Sequence, residues 1–132
     1  MNNKQLQQLQ THSPLLGDFM NGRVRELAEE LLGEPVVPKN LQYFNKPPGQ
    51  SLPTPPHQDG TYFLLKPCRA VTLWLALDAV DESNGCVRYI RTSHRAGLRP
   101  HGRTKTLGFS RCITDFGEAD LANDVLCPAE PG

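Results

Sequence analysis

The stretch Ala70–Asp78, AVTLWLALD, sets Val71, Leu73, Leu75 and Leu77 in alternation with Thr72, Trp74, Ala76 and Asp78. Successive side chains of an extended chain point to opposite faces, so this period of two predicts a strand with one strongly apolar face. Such a face demands a second layer to cover it. The turn residues of Val80–Gly85, VDESNG, follow, and then a second short strand over Cys86–Arg91, CVRYIR. The pair is expected to form an antiparallel hairpin with Trp74 and Cys86 on neighbouring strands.

The remaining segments fit around that hairpin. Asp18–Gly33, DFMNGRVRELAEELLG, spaces Met20, Val24, Leu27, Ala28, Leu31 and Leu32 for one face of an amphipathic helix, and Gly33 is its stop. Arg23, Arg25, Glu26, Glu29 and Glu30 form the solvated face. Val36–Phe44 reads as a strand, and Asn45–Pro56, NKPPGQSLPTPP, is too rich in Pro and Gly for anything but a loop. Gly97–Lys105, GLRPHGRTK, reads as a basic loop and Asn123–Cys127 as a further strand. One helix followed by short strands predicts a mainly β domain, a sandwich or barrel with helical cover.

With 132 residues and 38% hydrophobic content, the chain suits a single small domain. Lys plus Arg and Asp plus Glu both total 14, so no uncompensated basic field draws nucleic acid or anionic lipid. No apolar run approaches the roughly 18 residues of a membrane span, and MNNKQLQQLQTHS lacks the apolar core of a signal peptide. The expectation is a soluble, cytoplasmic protein without nucleic-acid or membrane partners. Cys68, Cys86, Cys112 and Cys127 show no C-x-x-C spacing and are read as reduced, packing thiols.

The proline-rich loop ends on His57-Gln58-Asp59. On an extended segment, residues two apart project to the same side, so the His57 imidazole and Asp59 carboxylate can converge on one metal ion. That spacing is the local half of a two-His-one-carboxylate facial triad, an arrangement suited to ferrous iron because it leaves coordination positions open. The tripeptide alone is weak, since a chain of this composition holds a His-x-Asp by chance roughly one time in five. The alternative is a loop His hydrogen-bonded to a nearby carboxylate. Its position where a loop meets a strand system favours a site.

Several blocks in order, FNKPPG, PPHQDGTYF, VTLWLALDAVDESNGC and VRYIRTSHR, span Leu41–Arg95 and resemble the phytanoyl-CoA dioxygenase family of iron(II)- and 2-oxoglutarate-dependent oxygenases; a weaker likeness continues through GLRPH and TLGFS. The resemblance implies an incomplete double-stranded β-helix, the cupin-like jelly roll, with residues 1–33 a helical leader and 36–132 the barrel portion of one partial domain. It implies that His57 and Asp59 are the first two iron ligands. Trp74 matches a position lining the 2-oxoglutarate pocket and Gln42 another cosubstrate-contacting position; core packing for Trp74 and a hydrogen bond to a neighbour for Gln42 are the alternatives.

The implied cofactors are Fe(2+) and 2-oxoglutarate, with ascorbate a further candidate. The implied reaction consumes dioxygen and hydroxylates a small organic or lipid-like molecule. The family pattern also carries a distal His ligand and a 2-oxoglutarate-binding Arg after a Pro-Gly turn, which here are expected beyond Pro131-Gly132. The chain is therefore expected to be a fragment, inactive by itself; a non-catalytic cupin-like metal- or ligand-binding module is the alternative. His12, His94 and His101 are the other imidazoles. Arg99, His101 and Arg103 are read either as contacts for an anionic substrate or as an exposed charged loop.

Overall fold

The computed structural model describes residues 5–47, 49, 53–106 and 108–132. Pro48 and Gln50–Leu52 of the expected loop, and Leu107 of the TLGFS block, lie outside the described residues. The chain divides into two compact units, Met1–Gln50 with Arg69–Leu73, and Ser51–Cys68 with Trp74–Gly132.

In the first unit the expected helix forms and starts earlier, with Pro14 at its first turn: α1 spans Pro14–Phe19 and α2 spans Arg25–Leu32. Proline suits that position because its missing amide has no intrahelical partner there. A wide π-turn over Met20–Val24 joins the two, with Gly22 at the non-helical angles φ −94°, ψ −112°. The helix ends where expected. Gly33 turns left-handed at φ 70° and its amide donates to the Glu29 carbonyl at 2.8 Å. Arg69 closes the same end, donating to the Leu32 carbonyl at 2.8 Å and pairing with Glu34 at 2.9 Å. Met20 and Ala28 are the buried apolar side chains of this helix.

The strand expected over Val36–Phe44 is a correction: only Tyr43–Phe44 (β2) pairs, antiparallel, with Gln5–Leu6 (β1). Pro38 has no amide to give a ladder and biases Val37 before it. One further backbone bond, from the Leu9 amide to the Leu41 carbonyl at 2.9 Å, and two side chains extend the pairing. The Gln8 amide donates to Asn40 Oδ1 and the Leu41 amide to Gln10 Oε1, both at 2.9 Å.

In the second unit the turn over Val80–Gly85 forms, with Asp81 Oδ1 accepting from the Ser83 amide at 2.7 Å and Gly85 at φ 94°. The strand after it, Val87–Ile90 (β3), forms as well. Its partner differs from the expected one: β3 pairs antiparallel with Asp124–Cys127 (β6), Val87 facing Cys127, and an isolated bridge joins Val80 to Ala129 in a different register, on the far side of the turn. Ala70–Asp78 carries no ladder. A strand is held by its neighbour's amides and carbonyls rather than by its own alternation, and β3 has given its ladder to β6. Leu75 and Leu77 are accordingly exposed, and within that stretch Ala76 is the buried residue.

The basic loop also differs from expectation. His101–Arg103 (β4) pairs with Arg111–Ile113 (β5), His101 facing Ile113. Short helices Gly60–Phe63 (α3) and Glu118–Leu121 (α4) complete this unit. The mainly β expectation is thus replaced by mixed structure: among the described residues the sheets are two-stranded and none closes into a barrel. No helix among them is long and apolar enough to cross a membrane. All four thiols are unpaired, Cys86 being buried and Cys68 exposed.

Arg99, expected on an exposed loop, is half-buried and bound to two carboxylates. Its guanidinium meets Asp120 at 2.6 Å and Asp115 at 3.0 Å, and donates to the Asp115 carbonyl at 2.7 Å. Its hydrogen bond to Arg99, then that from the Gly117 amide, hold the Asp120 carboxyl below the usual carboxylate range. A depressed folded-state value contributes stability that is present above the unfolded value and lost as pH falls through the folded one. Stability should therefore decline on acidification below about pH 4, and Asp120→Asn should flatten that decline, as read by urea midpoints across pH. Gly33→Ala should cost about 1 kcal/mol in the same denaturation assay, because a Cβ opposes the left-handed angle.

Candidate metal centre

The strongest constraint on residues 55–59 is the proline backbone, which has carbonyls but no amides to offer. His57 Nδ1 lies 2.9 Å from the Pro55 carbonyl oxygen. A carbonyl only accepts, so Nδ1 carries the hydrogen and the Nε2 lone pair is left outward. Nε2 lies 3.3 Å from Asp59 Oδ1. A nitrogen lone pair and a carboxylate oxygen thus face a common point, as the spacing of one intervening residue predicts.

The same closeness favours the protonated imidazole over the neutral one. The hydrogen bond to Asp59 is the main influence raising the His57 imidazole above its ordinary value; burial opposes it, and the Pro55 carbonyl and the Asp59 charge add to it. His57 is the more enclosed of the two, its side chain 20% exposed against 45% for Asp59. The Phe109 ring lies 4.9 Å from the imidazole between centroids, and Tyr62 stands edge-on at 6.3 Å. Both rings also line a cleft of about 450 Å³, with Thr104, Lys105, Thr106 and Ser110.

Gln58 points the other way and grips the segment behind the site. Its side-chain oxygen accepts from the Arg99 amide at 2.8 Å, and its side-chain nitrogen donates to the Gly97 carbonyl at 2.9 Å. Its own backbone amide donates to His101 Nε2 at 3.0 Å. His101 Nδ1 lies 2.7 Å from the Arg99 carbonyl, so both imidazole nitrogens are engaged and neither is turned toward His57 and Asp59. The approach is close: a Cβ on Gly60 would sit 2.9 Å from Leu98 Cδ2 and 2.7 Å from Cys68 Sγ. The Pro56 carbonyl accepts from the Ile113 amide at 2.8 Å, tying the tripeptide to β5.

The other expected site residues are placed as follows. Trp74 belongs to the second unit, as His57 and Asp59 do, and its side chain is 46% exposed rather than packed in a core. Gln42 belongs to the first unit, is exposed, and accepts a long hydrogen bond from Asn40 at 3.4 Å. His94 is exposed in a 3-10 turn over Ser93–Ala96. Among the described residues no third His, Cys, Asp or Glu gathers with the pair. Sequence reasoning singled out the donors and missed what holds them. Gln58 sits between the two donors and was the available signal, since alternation turns it to the rear face.

The donor set suits a borderline divalent cation such as Fe(II), offering imidazole nitrogen and carboxylate oxygen with the imidazole tautomer already set. The family model for phytanoyl-CoA dioxygenase (PhyH) matches residues 2–124. A zebrafish (Danio rerio) protein named phytanoyl-CoA dioxygenase domain-containing protein 1 is 33% identical over 90% of this chain and 39% of its own length. The Oryza sativa phytanoyl-CoA dioxygenase 1 is 38% identical over 49% of this chain and 23% of its own. The human protein named peroxisomal phytanoyl-CoA dioxygenase is 28% identical over 64% of this chain and 26% of its own. The chain therefore spans well under half the length of these relatives. No solved structure matches it.

The geometry of the pair predicts a titration. In the metal-free chain, the His57 Hε1 resonance should titrate above the ordinary value of about 6.5, and Asp59→Asn should bring it down by removing the main cause. The sign for stability follows. A raised imidazole contributes stability that is full below its unfolded value and lost as pH rises through the folded one, so the wild-type chain should lose this increment toward alkaline pH. Asp59→Asn should not. Proton NMR and denaturation at pH values on either side of that window check both outcomes.

Proposed function

The chain belongs to the phytanoyl-CoA dioxygenase family, and from that premise we propose that His57 and Asp59 are iron ligands of an Fe(II)- and 2-oxoglutarate-dependent dioxygenase acting on a small organic or lipid-like substrate. The observation that carries this reading is the convergence of His57 Nε2 and Asp59 Oδ1, 3.3 Å apart, with Nδ1 committed to the Pro55 carbonyl. The proposal includes a jelly-roll barrel in the whole protein, with residues 1–33 as helical leader and 36–132 as barrel strands and connections.

On this reading, each residue has a physical task. The Pro55 carbonyl keeps the imidazole in the tautomer that offers Nε2, and Asp59 supplies the negative charge that favours a divalent cation. Phe109 and Tyr62 cover the imidazole and limit access of water, and the cleft they line receives the substrate. Trp74 and Gln42 are assigned contacts with 2-oxoglutarate. The chemistry supplied by Fe(II) when bound is activation of dioxygen, coupled to conversion of 2-oxoglutarate into succinate and CO2.

One observation favours a second reading. Only two donors gather among the described residues, which suits a cupin-like module that binds metal or ligand without turnover. Succinate production separates the two. With the whole protein, Fe(II), 2-oxoglutarate and air, the dioxygenase reading predicts succinate formation that falls at least about 100-fold in His57→Ala and Asp59→Ala. Asp59-dependent Fe(II) binding with no succinate is the outcome expected of the module. Fe(II) binding and succinate formation both indifferent to Asp59→Ala would remove the assignment of this pair altogether.

A further inference from the structure

His57 and Asp59 occupy one side of the tripeptide, and everything that fixes the tripeptide in place lies on the other. The peptide between His57 and Gln58 has its amide donated to His101 Nε2 at 3.0 Å. The same imidazole, through Nδ1, donates to the Arg99 carbonyl at 2.7 Å. Because a carbonyl only accepts and an amide only donates, His101 must be the neutral tautomer with its hydrogen on Nδ1. It bridges two backbone groups that face each other with no ladder between them.

Gln58 repeats this bridge with its side chain. Its amide accepts from Arg99 and donates to Gly97, at 2.8 and 2.9 Å, and so stands in for the peptide group of a missing strand partner. Three hydrogen bonds thus cross from residue 58 to the segment 97–101. That segment is itself held by the Arg99 guanidinium on Asp115 and Asp120, and by the β4–β5 pairing. Rotation of the 57–59 backbone would break all three bonds and swing both donors away from their shared point.

We propose that His101 and Gln58 are positioning residues, which set the angle between the His57 imidazole and the Asp59 carboxylate by holding the intervening residue from behind. They touch neither metal nor substrate. The inference rests on the reading of His57 and Asp59 as a metal pair. It changes the role of His101, whose type and nearness would otherwise suggest a ligand.

The test uses the whole chain with Mn(II), a redox-silent stand-in for Fe(II), followed by electron paramagnetic resonance. His101→Phe keeps a ring but removes the acceptor and the donor; it should weaken Mn(II) binding about 10–100-fold, the usual effect of removing an outer hydrogen-bonding partner. His101→Gln returns an acceptor oxygen near the position of Nε2 and should recover most of that loss. Throughout, hydrogen exchange of the β3 and β6 amides should stay at wild-type rates, which a general loosening of the fold would not allow. Gln58→Met, similar in length and without the amide, should show the same weakening and carries the test if His101→Phe fails to fold.

Mn(II) affinity unchanged in His101→Phe, or as weak in His101→Gln as in His101→Phe, overturns the proposal. If the wild-type chain binds no Mn(II), the metal reading falls. The positioning role is then decided on the metal-free chain. Faster exchange of the Gln58 amide in His101→Phe but not in His101→Gln sustains it, and equal rates in all three proteins overturn it.

Discussion

The Arg99 guanidinium is the tie on which the second unit depends. It spans Asp115, just after β5, and Asp120 in α4, and its backbone amide and carbonyl receive Gln58 and His101. A planar fork with five donors is the one side chain able to satisfy two carboxylates and a carbonyl together, which a lysine in the same place would not do. Because Arg99 and Asp120 are paired at short range and partly enclosed, losing either of these two leaves the other facing a poor solvent. Order in the segment 97–101 follows from this pairing, and order at residues 57–59 follows from that segment.

A comparable tie holds the other sheet of the unit. Arg88 on β3 pairs with Asp124 on β6, across the register that sets Arg88 opposite Leu126 and Ile90 opposite Asp124. Both short sheets thus combine a brief backbone ladder with a cross-element ion pair. The reason is length: ladders of three or four residues are marginal alone and need side-chain contacts or a packed face to persist. Cys86, buried beside the start of β3, supplies part of that face.

What could be read in the sequence follows the range of the interaction concerned. The helix ending at Gly33 was legible from Asp18 onward because its determinants there are local, apolar spacing and a glycine able to adopt φ 70°; its start at Pro14 was not read. The turn over Val80–Gly85 and the strands β3 and β6 were legible for the same reason. Which strands pair was not. The alternation of Ala70–Asp78 records faces, whereas pairing depends on which distant backbone arrives alongside, and there β6 took the place beside β3. Pro38 was visible and its consequence was underweighted, since one missing amide is enough to shorten a strand to Tyr43–Phe44.

The site divides along the same line. The closeness of His57 and Asp59 was legible from their spacing, although Asp59 takes helical angles as the residue before α3. Their support was hidden, because Gln58, His101 and Arg99 come together only when segments about 40 residues apart meet. Composition even pointed the wrong way for Arg99, since basic residues among turn formers read as solvated surface. An ion-binding pair on a loop must be stiff enough that binding does not also have to order the backbone. Here the Pro55 carbonyl fixes the imidazole from the near side and residues 97–101 fix the peptide from the far side. On the proposed reading, the two side chains need little rearrangement to admit a cation between them.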